Sequence, residues 1–275
     1  MSTQVNVLGR ETAAGPSFGD RLKWGVSDAL TMMGRNLRHI PRTPELLLDV
    51  TVQPIIFVVL FRYVFGGAIA VEGTSYINYL MAGIFVQTIM FAAMTSGIGL
   101  AFDLSKGIID RFRSLPMSRA AVVTGRTLTD LLRGILASLV MLGVGLAVGF
   151  RPDGDVGGWL AGFGLLLLFG FAFSWVGVTV GMLARTPEAV QAFMFVAIFP
   201  LTFASSAFVP TETMPSWLRA FAENQPMTQT VDALRAYVLG QSPGSAAWQA
   251  LAWSIGILVV FFPLAVTLYQ KRTAH

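Results

Sequence analysis

The sequence contains no cysteine and only two histidines, and these absences exclude several kinds of site. Without cysteine the chain forms no disulfide, binds no metal through thiolates and offers no thiol nucleophile. His39 and His275 stand far apart, and a metal site needs several converging ligands, so both are interpreted as solvated or interfacial side chains. The sequence also has no Gly-x-x-x-x-Gly-Lys-Ser/Thr loop for nucleotide phosphates and no Gly-x-Ser-x-Gly nucleophile motif. We therefore expect a chain without bond chemistry, metal or nucleotide site of its own.

Charge is also scarce. Charged residues make up 12% of the chain, whereas a soluble domain carries roughly 25%. The hydrophobic fraction is 54% and the mean hydropathy is +0.66, which argues against a water-facing surface over most of the length. The net charge of +4 comes from basic residues that lie mostly beside apolar segments. There they fit topology determinants better than a nucleic-acid-binding face, so no nucleic-acid partner is expected.

What remains is a series of long apolar stretches, and crossing a bilayer takes about 20 such residues. The run Leu165–Phe169 does not alternate apolar and polar residues, which favours membrane helices over barrel strands. Two further candidates are less regular, because 134–150 needs a start slightly before Arg133 and 46–65 is broken by Asp49 and Pro54. The sequence thus predicts an all-α membrane protein with six transmembrane helices. The four charge-free stretches are 73–102, 156–184, 189–211 and 236–270.

The basic residues predict the orientation of these spans. With six spans, one side receives 15 of the 19 Lys and Arg residues, leaving Arg62, Arg151, Arg219 and Arg235 on the other. Because Lys and Arg favour the cytoplasmic side, both termini are predicted to be cytoplasmic in a multi-pass protein of the plasma membrane. Residues 1–45 have no apolar core of signal-peptide type, so we expect insertion through the first span.

An amphipathic helix is predicted within residues 1–45. Apolar residues recur there at three- and four-residue spacing, and basic residues occupy mainly other faces. Such a helix suits the inner membrane interface, with its basic side chains toward anionic headgroups. Pro41 and Pro44 end it before the first span. Its apolar positions are Leu22, Val26, Ala29, Met33, Leu37 and Ile40.

Ionisable residues are nearly missing from the middle of the spans. Proton- or ion-coupled carriers keep such residues there, so a secondary carrier or channel is disfavoured, as is a lipid-modifying enzyme. Asp130 stands one helical turn from Arg126 and from Arg133, near a predicted helix end, which favours a structural ion pair. Energy for uphill transport is therefore expected from a partner.

The predicted cytoplasmic loop 103–126 carries a short helical pattern. Its apolar stripe includes Ile108 and Leu115, basic residues including Arg111 flank it, and Pro116 ends it. Two interpretations stay open, a solvated loop on the positive side of the membrane or a docking helix for another protein.

A second segment, 210–245, is predicted to lie outside, between the fifth and sixth spans. Two short helical patterns, Ser216–Glu223 and Thr228–Leu239, are separated there by Asn224, Gln225 and Pro226. Both patterns have aromatic or aliphatic faces, so we expect a helical hairpin in or near the outer interface.

Together these two segments resemble the permease family of ABC-2-type transporters over essentially the whole chain. The stretch Arg113-Ser-Leu-Pro-Met-Ser-Arg119 is similar to the family's loop after the second span. Gln225, which separates Asn224 from Pro226, departs from the adjacent Asn-Pro of the family's polysaccharide exporters and looks more like the daunorubicin and doxorubicin resistance branch. Residues similar to the signature before the last span are Pro210, Met214, Pro215, Trp217, Leu218, Pro226 and Asp232-Ala-Leu-Arg235.

The resemblance implies the permease subunit of a bacterial exporter of a hydrophobic or amphipathic compound, a drug in the first place, or alternatively a lipid or glycolipid. It implies a 46–270 transmembrane domain between a connecting helix and a cytoplasmic tail, 271–275. The implied partners are a cytoplasmic ATPase that binds ATP and Mg, a second permease chain, lipid and the cargo. The hairpin, with its signature residues Pro210, Met214, Pro215, Trp217, Pro226, Asp232 and Arg235, would cap the exit. The implied ATPase contacts, on a coupling helix, are Lys106, Gly107, Ile108, Asp110, Arg111, Arg113, Leu115 and Pro116.

Polar and aromatic residues inside the spans do not decide from the sequence where the cargo path runs. Gln87, Thr95 and Ser96 of the second span either line a path or bridge helices, as polar residues in spans commonly do. Gly177 and Gly181 predict close helix packing. Three aromatic residues nearby either stack planar drugs or pack against protein and lipid, and packing is favoured. They are Phe171, Phe173 and Trp175.

Overall fold

The computed structural model describes residues 52, 55–69, 71, 73–106 and 119–272, and the regular structure of these ranges is helical. A single 3-10 turn, Thr211–Thr213, joins the helices among them. The last turn of α1, Phe61–Phe65, has π-helical geometry. The helices are α1 Ile55–Phe65, α2 Tyr76–Ser105, α3 Arg119–Ala147, α4 Val156–Leu183, α5 Pro187–Phe203, α6 Ser216–Asn224, α7 Pro226–Val238 and α8 Gly244–Arg272.

Helices occupy all six predicted span positions, but they differ in length. Four of them, α2, α3 from Thr127 onward, α4 and α8, are long and apolar enough to cross a bilayer. The described part of the first span, α1, and the fifth helix, α5, are shorter apolar helices. The all-helical membrane fold is therefore confirmed with four candidate spans, and crossing by all six helices stays a prediction. The remaining parts of the predicted fold, 1–45 with its amphipathic helix, 107–118 and 273–275, lie outside the described residues.

Local sequence sets several helix ends. Asp155 accepts a hydrogen bond at 2.9 Å from the Gly158 N–H and so begins α4. Thr186 accepts one at 3.2 Å from the Ala189 N–H at the start of α5, whose first residue is proline. Each side chain satisfies a backbone donor that the first helical turn leaves unpaired.

The central helix of the bundle is α2, which packs against α3, α4, α5 and α7. In the most apolar 18-residue stretch of α2, 72% of the residues are buried, against 11% in the corresponding stretch of α8. Helix α8 therefore lies at the periphery. Phe85 and Ile84 of α2 are fully buried, as are Leu166 and Phe169 of α4. Because lipid tails are as apolar as these side chains, van der Waals packing rather than water exclusion holds the helices together.

The crossing of α2 and α4 depends on glycine. A Cβ atom on Gly97 would lie 2.2 Å from the Gly177 carbonyl oxygen, and one on Gly181 would lie 2.5 Å from the Gly97 carbonyl oxygen. Only hydrogen side chains permit backbones this close. The close packing predicted for Gly177 and Gly181 is confirmed.

Candidate functional site

The predicted ATPase contact begins where α2 ends. Ser105 is the last residue of α2, and the Lys106 ammonium group lies 4.1 Å from the centroid of the Phe102 ring. The described chain resumes with α3 at Arg119, and α3 packs against α2. The docking role of this segment stays a prediction. Gly107, Ile108, Asp110, Arg111, Arg113, Leu115 and Pro116 lie outside the described residues.

Two to three helical turns away from residues 107–118, polar side chains join α2 to α3. They form the α2–α3 polar cluster, which consists of Thr95, Ser96, Asp130 and Arg133. The Ser96 hydroxyl donates to Asp130 Oδ2. Arg133 Nη1 donates to Asp130 Oδ1 at 3.2 Å and to Thr95 Oγ1 at 3.4 Å. The side chains of Asp130 and Arg133 are 7% and 15% exposed, so the pair is held largely by protein.

This cluster confirms the predicted pairing of Asp130 with Arg133, but its environment differs from the expected one. The sequence placed both residues near a helix end, within reach of water. Because α3 begins as early as Arg119, both instead lie inside the helix and against α2. Ser96 is fully buried in this contact and Gln87 of the same helix is 4% exposed. The proposed role of Gln87, Thr95 and Ser96 in a cargo path stays a prediction.

A second group of polar side chains, the α7 polar cluster, consists of Tyr79, Ser206, Asp232 and Arg235. Arg235 Nη1 donates to Asp232 Oδ1 at 2.6 Å, and the Ser206 hydroxyl donates to the same oxygen at 2.6 Å. Arg235 Nη2 donates to the Ser206 carbonyl at 2.6 Å, and Nε donates to the Tyr79 carbonyl at 3.1 Å. The guanidinium carbon lies 3.6 Å from the centroid of the Tyr79 ring.

Arg235 therefore connects three parts of the chain: α7, the first turn of α2 and the turn that follows α5. Its side chain is 12% exposed and that of Asp232 is 38% exposed. A largely buried guanidinium is stabilised when it has an ionic partner and several acceptors, as Arg235 does here. Two residues of the predicted signature, Asp232 and Arg235, thus come together and fix α7 on the bundle.

Gln225 is buried beside this cluster and joins the end of α5 to the start of α7. Its Nε2 donates to the Leu201 carbonyl at 2.7 Å and to the Ala204 carbonyl at 3.1 Å. Its Oε1 accepts at 3.2 Å from the Met227 N–H. One amide therefore satisfies acceptors at a helix C-terminus and a donor at a helix N-terminus. The residue that departs from the polysaccharide-exporter pattern thus has a defined structural role.

The other signature residues lie at helix ends or on the surface of the hairpin. Pro210 precedes the 3-10 turn, and Met214 and Pro215 lead into α6. Pro226 is the first residue of α7, two residues earlier than the predicted start at Thr228. Their role in capping an exit, and that of Trp217, which is 74% exposed on α6, stays a prediction.

The hairpin also carries a surface ion pair. Arg219 Nε donates to Glu223 Oε1 at 2.6 Å, one turn along α6. This bond to the carboxylate raises the pKa of the exposed Arg219 guanidinium above its ordinary value. Both side chains are exposed, and exposed ion pairs contribute little to stability.

Comparison with known proteins matches the same segments. A family model described as ABC-2 type transporter matches residues 28–239. The daunorubicin resistance ABC transporter permease protein DrrB1 of Streptomyces coeruleorubidus is 35% identical over 250 residues, which cover 91% of this chain and 88% of that protein. The chain belongs to the ABC-2 type transporter family.

A second relative supports the same branch of this family. The doxorubicin resistance ABC transporter permease protein DrrB of Mycobacterium tuberculosis is 28% identical over 234 residues, 80% of each chain. The resemblance noted from the sequence is therefore confirmed. As an ABC-2 permease, the chain is a transport subunit of a membrane complex, and its family implies an ABC ATPase as partner.

A feature of this ABC-2 permease that was not predicted from the sequence is a row of neighbouring rings, the phenylalanine row, in which Phe61 and Phe208 are stacked and the other consecutive pairs are tilted by 32–40°. It runs along α5, through the following turn and onto α1, with consecutive centroids between 4.3 and 5.4 Å apart. The four-residue spacing on both helices was visible in the sequence, but their meeting was not. From one end to the other, the row is Phe195, Phe199, Phe203, Phe208, Phe61 and Phe65.

The aromatic residues that the sequence analysis did consider lie elsewhere in the permease. Trp175 is fully buried and meets Phe262 of α8 edge-on, with ring centroids 4.7 Å apart. Phe173 is 5% exposed. Phe171 meets Trp175 edge-on at 6.2 Å. Their favoured interpretation as packing residues is confirmed.

The described part of the permease also has cavities of very different size. One beside Asp130 and Ser174 measures about 10 Å³, far too small for a drug-sized ligand. A groove of about 530 Å³ opens between α4 and α8 next to Gly164, Tyr237 and Trp248. Small residues on the facing sides of the two helices leave this space, and no pattern in the sequence predicted it.

Proposed function

We propose that this chain is the membrane subunit of an exporter that moves a hydrophobic or amphipathic drug out across the plasma membrane. ATP hydrolysed by a separate cytoplasmic ATPase drives the movement. The observation that carries the proposal is the 35% identity to a daunorubicin resistance permease along 91% of the chain. The family model covers residues 28–239, and within that range Asp232 and Arg235 meet in one cluster.

The described helices suit transmission of force from the loop 107–118. That loop joins α2 and α3, and the α2–α3 polar cluster ties these two helices together through Asp130. A displacement of the loop by the ATPase would therefore move both helices as one unit. Nucleotide binding would drive it by favouring one of two conformations, since a ligand shifts populations by its differential affinity.

At the other end, the α7 polar cluster holds the hairpin α6–α7 against α2 and the end of α5. We place this hairpin over the exit, in a complex of two permease chains and two ATPase chains. Arg235 bridges the hairpin and the span helices, so movement of α2 would reach the hairpin directly.

Transport by the reconstituted complex tests this function. The permease is co-expressed with its ATPase, purified and placed in proteoliposomes, and ATP-dependent accumulation is measured for daunorubicin and for a fluorescent phospholipid. The control complex carries an ATPase that binds but does not hydrolyse ATP. Daunorubicin that accumulates with the active complex and does not accumulate with the control complex supports the proposal. Movement of the phospholipid alone favours the lipid exporter instead, and movement by the permease without any ATPase rejects both.

A further inference from the structure

Three of the four basic residues at the hairpin end of the described bundle have acceptors in the protein. The guanidinium groups of Arg219 and Arg235 each bond to a carboxylate, and that of Arg151 bonds to two backbone carbonyls. The fourth is Arg62, in the last turn of α1. Its Nε is buried without a hydrogen-bond partner, and the ion pairs among the described residues do not include it.

Local packing keeps the Arg62 guanidinium partly inside the protein. Arg62 stands one turn after Val58, which is 0% exposed, and residues four apart lie on the same face of a helix. Arg62 itself is half-buried, so its Nε lies inside while the far end of the guanidinium reaches the surface. The next two residues, Tyr63 and Val64, are 69% and 66% exposed. The guanidinium therefore lies at the boundary between the packed face and the open face of α1.

A charge in this position is costly without an anion. Burial removes water from one side of the guanidinium, and a buried charge without an ionic partner is strongly destabilising. The C-terminal end of the α1 dipole favours a cation but carries no full negative charge. The turn Phe61–Phe65 also has π-helical geometry, which recurs at functional sites. The described part of the chain thus presents a cation whose counter-ion has to come from elsewhere.

The membrane supplies such a counter-ion at this depth. Tyrosine is enriched at the headgroup level of a bilayer, and Tyr63 stands next to Arg62 at the end of an apolar helix. Phospholipids carry phosphate at that level, and a guanidinium binds phosphate through two parallel hydrogen bonds. Earlier in α1, Ile56, Val59 and Leu60 are exposed and apolar, which suits contact with acyl chains.

We propose that Arg62 binds the phosphate of a phospholipid in the leaflet on the hairpin side, with the acyl chains of this lipid along the exposed face of α1. The surface nitrogens of the guanidinium donate to phosphate oxygens, and the phosphate charge offsets the cost of burying the Nε side. The bound lipid thereby holds the last turn of α1 in place beside the start of α2. This site is independent of the compound that the exporter carries.

Lipid binding to the permease–ATPase complex in detergent, measured by native mass spectrometry, tests the site. The complex is stripped of lipid and titrated with dioleoyl phosphatidylglycerol or with dioleoylglycerol, which has the same tails and no phosphate. We expect wild type to bind the phospholipid about tenfold or more tightly than dioleoylglycerol, because charge-assisted hydrogen bonds are the strong ones. Arg62→Gln should lose this difference, and Arg62→Lys, which keeps the charge, should retain part of it. Arg219→Gln is the control, since it removes an exposed positive charge from the same end of the bundle and should bind like wild type.

Thermal unfolding of the permease in the same complexes separates binding from folding. Without added lipid, Arg62→Gln should melt at or above the wild-type temperature, because it removes a charge that has no ionic partner among the described residues. Phosphatidylglycerol should raise the melting temperature of wild type and of Arg219→Gln by mass action, and that of Arg62→Gln less. A lipid-free Arg62→Gln complex that melts well below wild type would overturn the proposal, because Arg62 would then act within the protein.

Three binding results would also overturn the proposal. Equal affinity of wild type and Arg62→Gln for phosphatidylglycerol would mean that Arg62 does not hold the lipid. Equal affinity of wild type for the two lipids would mean that the phosphate is not recognised. Displacement of the lipid by an equal concentration of glycerol phosphate would reject a lipid as the occupant and make Arg62 a site for a soluble phosphate compound.

Discussion

Arg235 in α7 donates from Nη2 to the Ser206 carbonyl at 2.6 Å, so a side chain of the hairpin fixes the backbone turn that follows α5. The same guanidinium reaches the Tyr79 carbonyl in α2 at 3.1 Å. The α7 polar cluster is therefore the point where the hairpin, α2 and the turn after α5 share one charged group. Removal of the Arg235 guanidinium should therefore destabilise all of these parts.

Arg235→Gln is expected to lower the free energy of unfolding by about 2–3 kcal/mol. The substitution leaves Asp232 without its cation and removes bonds to two carbonyls, and hydrogen bonds to charged groups contribute about 1.5–3 kcal/mol each. Thermal unfolding in detergent measures the effect. Arg219→Gln is the control, because its ion pair with Glu223 is exposed and such pairs contribute little to stability. Equal melting temperatures for the two variants would contradict the role assigned to Arg235.

Gln225→Ala is expected to destabilise the protein by about 1–2 kcal/mol, because the Leu201 and Ala204 carbonyls lose a buried donor. The neighbouring Asn224 is exposed and bonds only locally, to the Ala220 carbonyl at 2.8 Å. Asn224→Ala should therefore change stability by no more than about 0.5 kcal/mol. Proteolysis of the hairpin under native conditions offers a local readout, and faster cleavage is expected in the Gln225 variant alone.

Gly177→Ala is expected to push α2 and α4 apart, since the new Cβ would lie 2.6 Å from the Ala93 carbonyl oxygen. A cost of about 1–3 kcal/mol follows from such overpacking. Gly164 lies in the same helix, and a Cβ atom added there would meet nothing within 4 Å. Gly164→Ala should leave stability unchanged or raise it by up to about 1 kcal/mol, because alanine favours helix. In thermal unfolding we expect a lower melting temperature for Gly177→Ala and an equal or higher one for Gly164→Ala, and a stabilising Gly177→Ala would refute the close crossing.

Asp130→Ala is expected to cost about 3–5 kcal/mol, because Arg133 would keep a largely buried charge without its carboxylate. The double variant Asp130→Ala with Arg133→Met removes the charge as well and should recover most of that loss. A double-mutant cycle measures the coupling between the two residues. Additive effects of the single substitutions would mean that the pair contributes no interaction energy.

Arg111→Glu with Arg113→Glu is expected to weaken capture of the ATPase without preventing membrane insertion, because the basic rim of the predicted docking helix changes sign. Co-purification of the two subunits and drug-stimulated ATP hydrolysis are the measurements. Lys271→Glu, an exposed charge reversal in α8 on the same predicted side of the membrane, is the control. Normal assembly and normal stimulation in the double variant would reject the coupling role of this loop.

The sequence predicted the helices well because the membrane allows few alternatives to an uncharged helical run. The two short hairpin helices also lie close to their predicted positions: the first starts at Ser216 as predicted, and the second starts at Pro226, two residues earlier than predicted. The spacing of Gly177 and Gly181 identified a close helix crossing, although the partner helix carrying Gly97 could not be read from it.

Tertiary contacts were harder to foresee. Asp130 was expected near water, but an earlier helix start carries it inward, where Ser96 of another helix meets it. The phenylalanine row joins residues of α1 and α5, helices that lie far apart in the chain. Spacing along one helix shows which residues share a face, and it carries no information about which distant face lies opposite.

The contact between Arg235 and Tyr79 joins residues 156 positions apart. At a synthesis rate of about 5–20 residues per second, roughly 8–30 s pass between translation of the first partner and arrival of the second. During biogenesis this contact therefore forms only after α1 to α6 have been synthesised, and α8 alone among the described helices follows it in the chain. A chain truncated before residue 235 would therefore lack the hydrogen bond that joins α7 to α2.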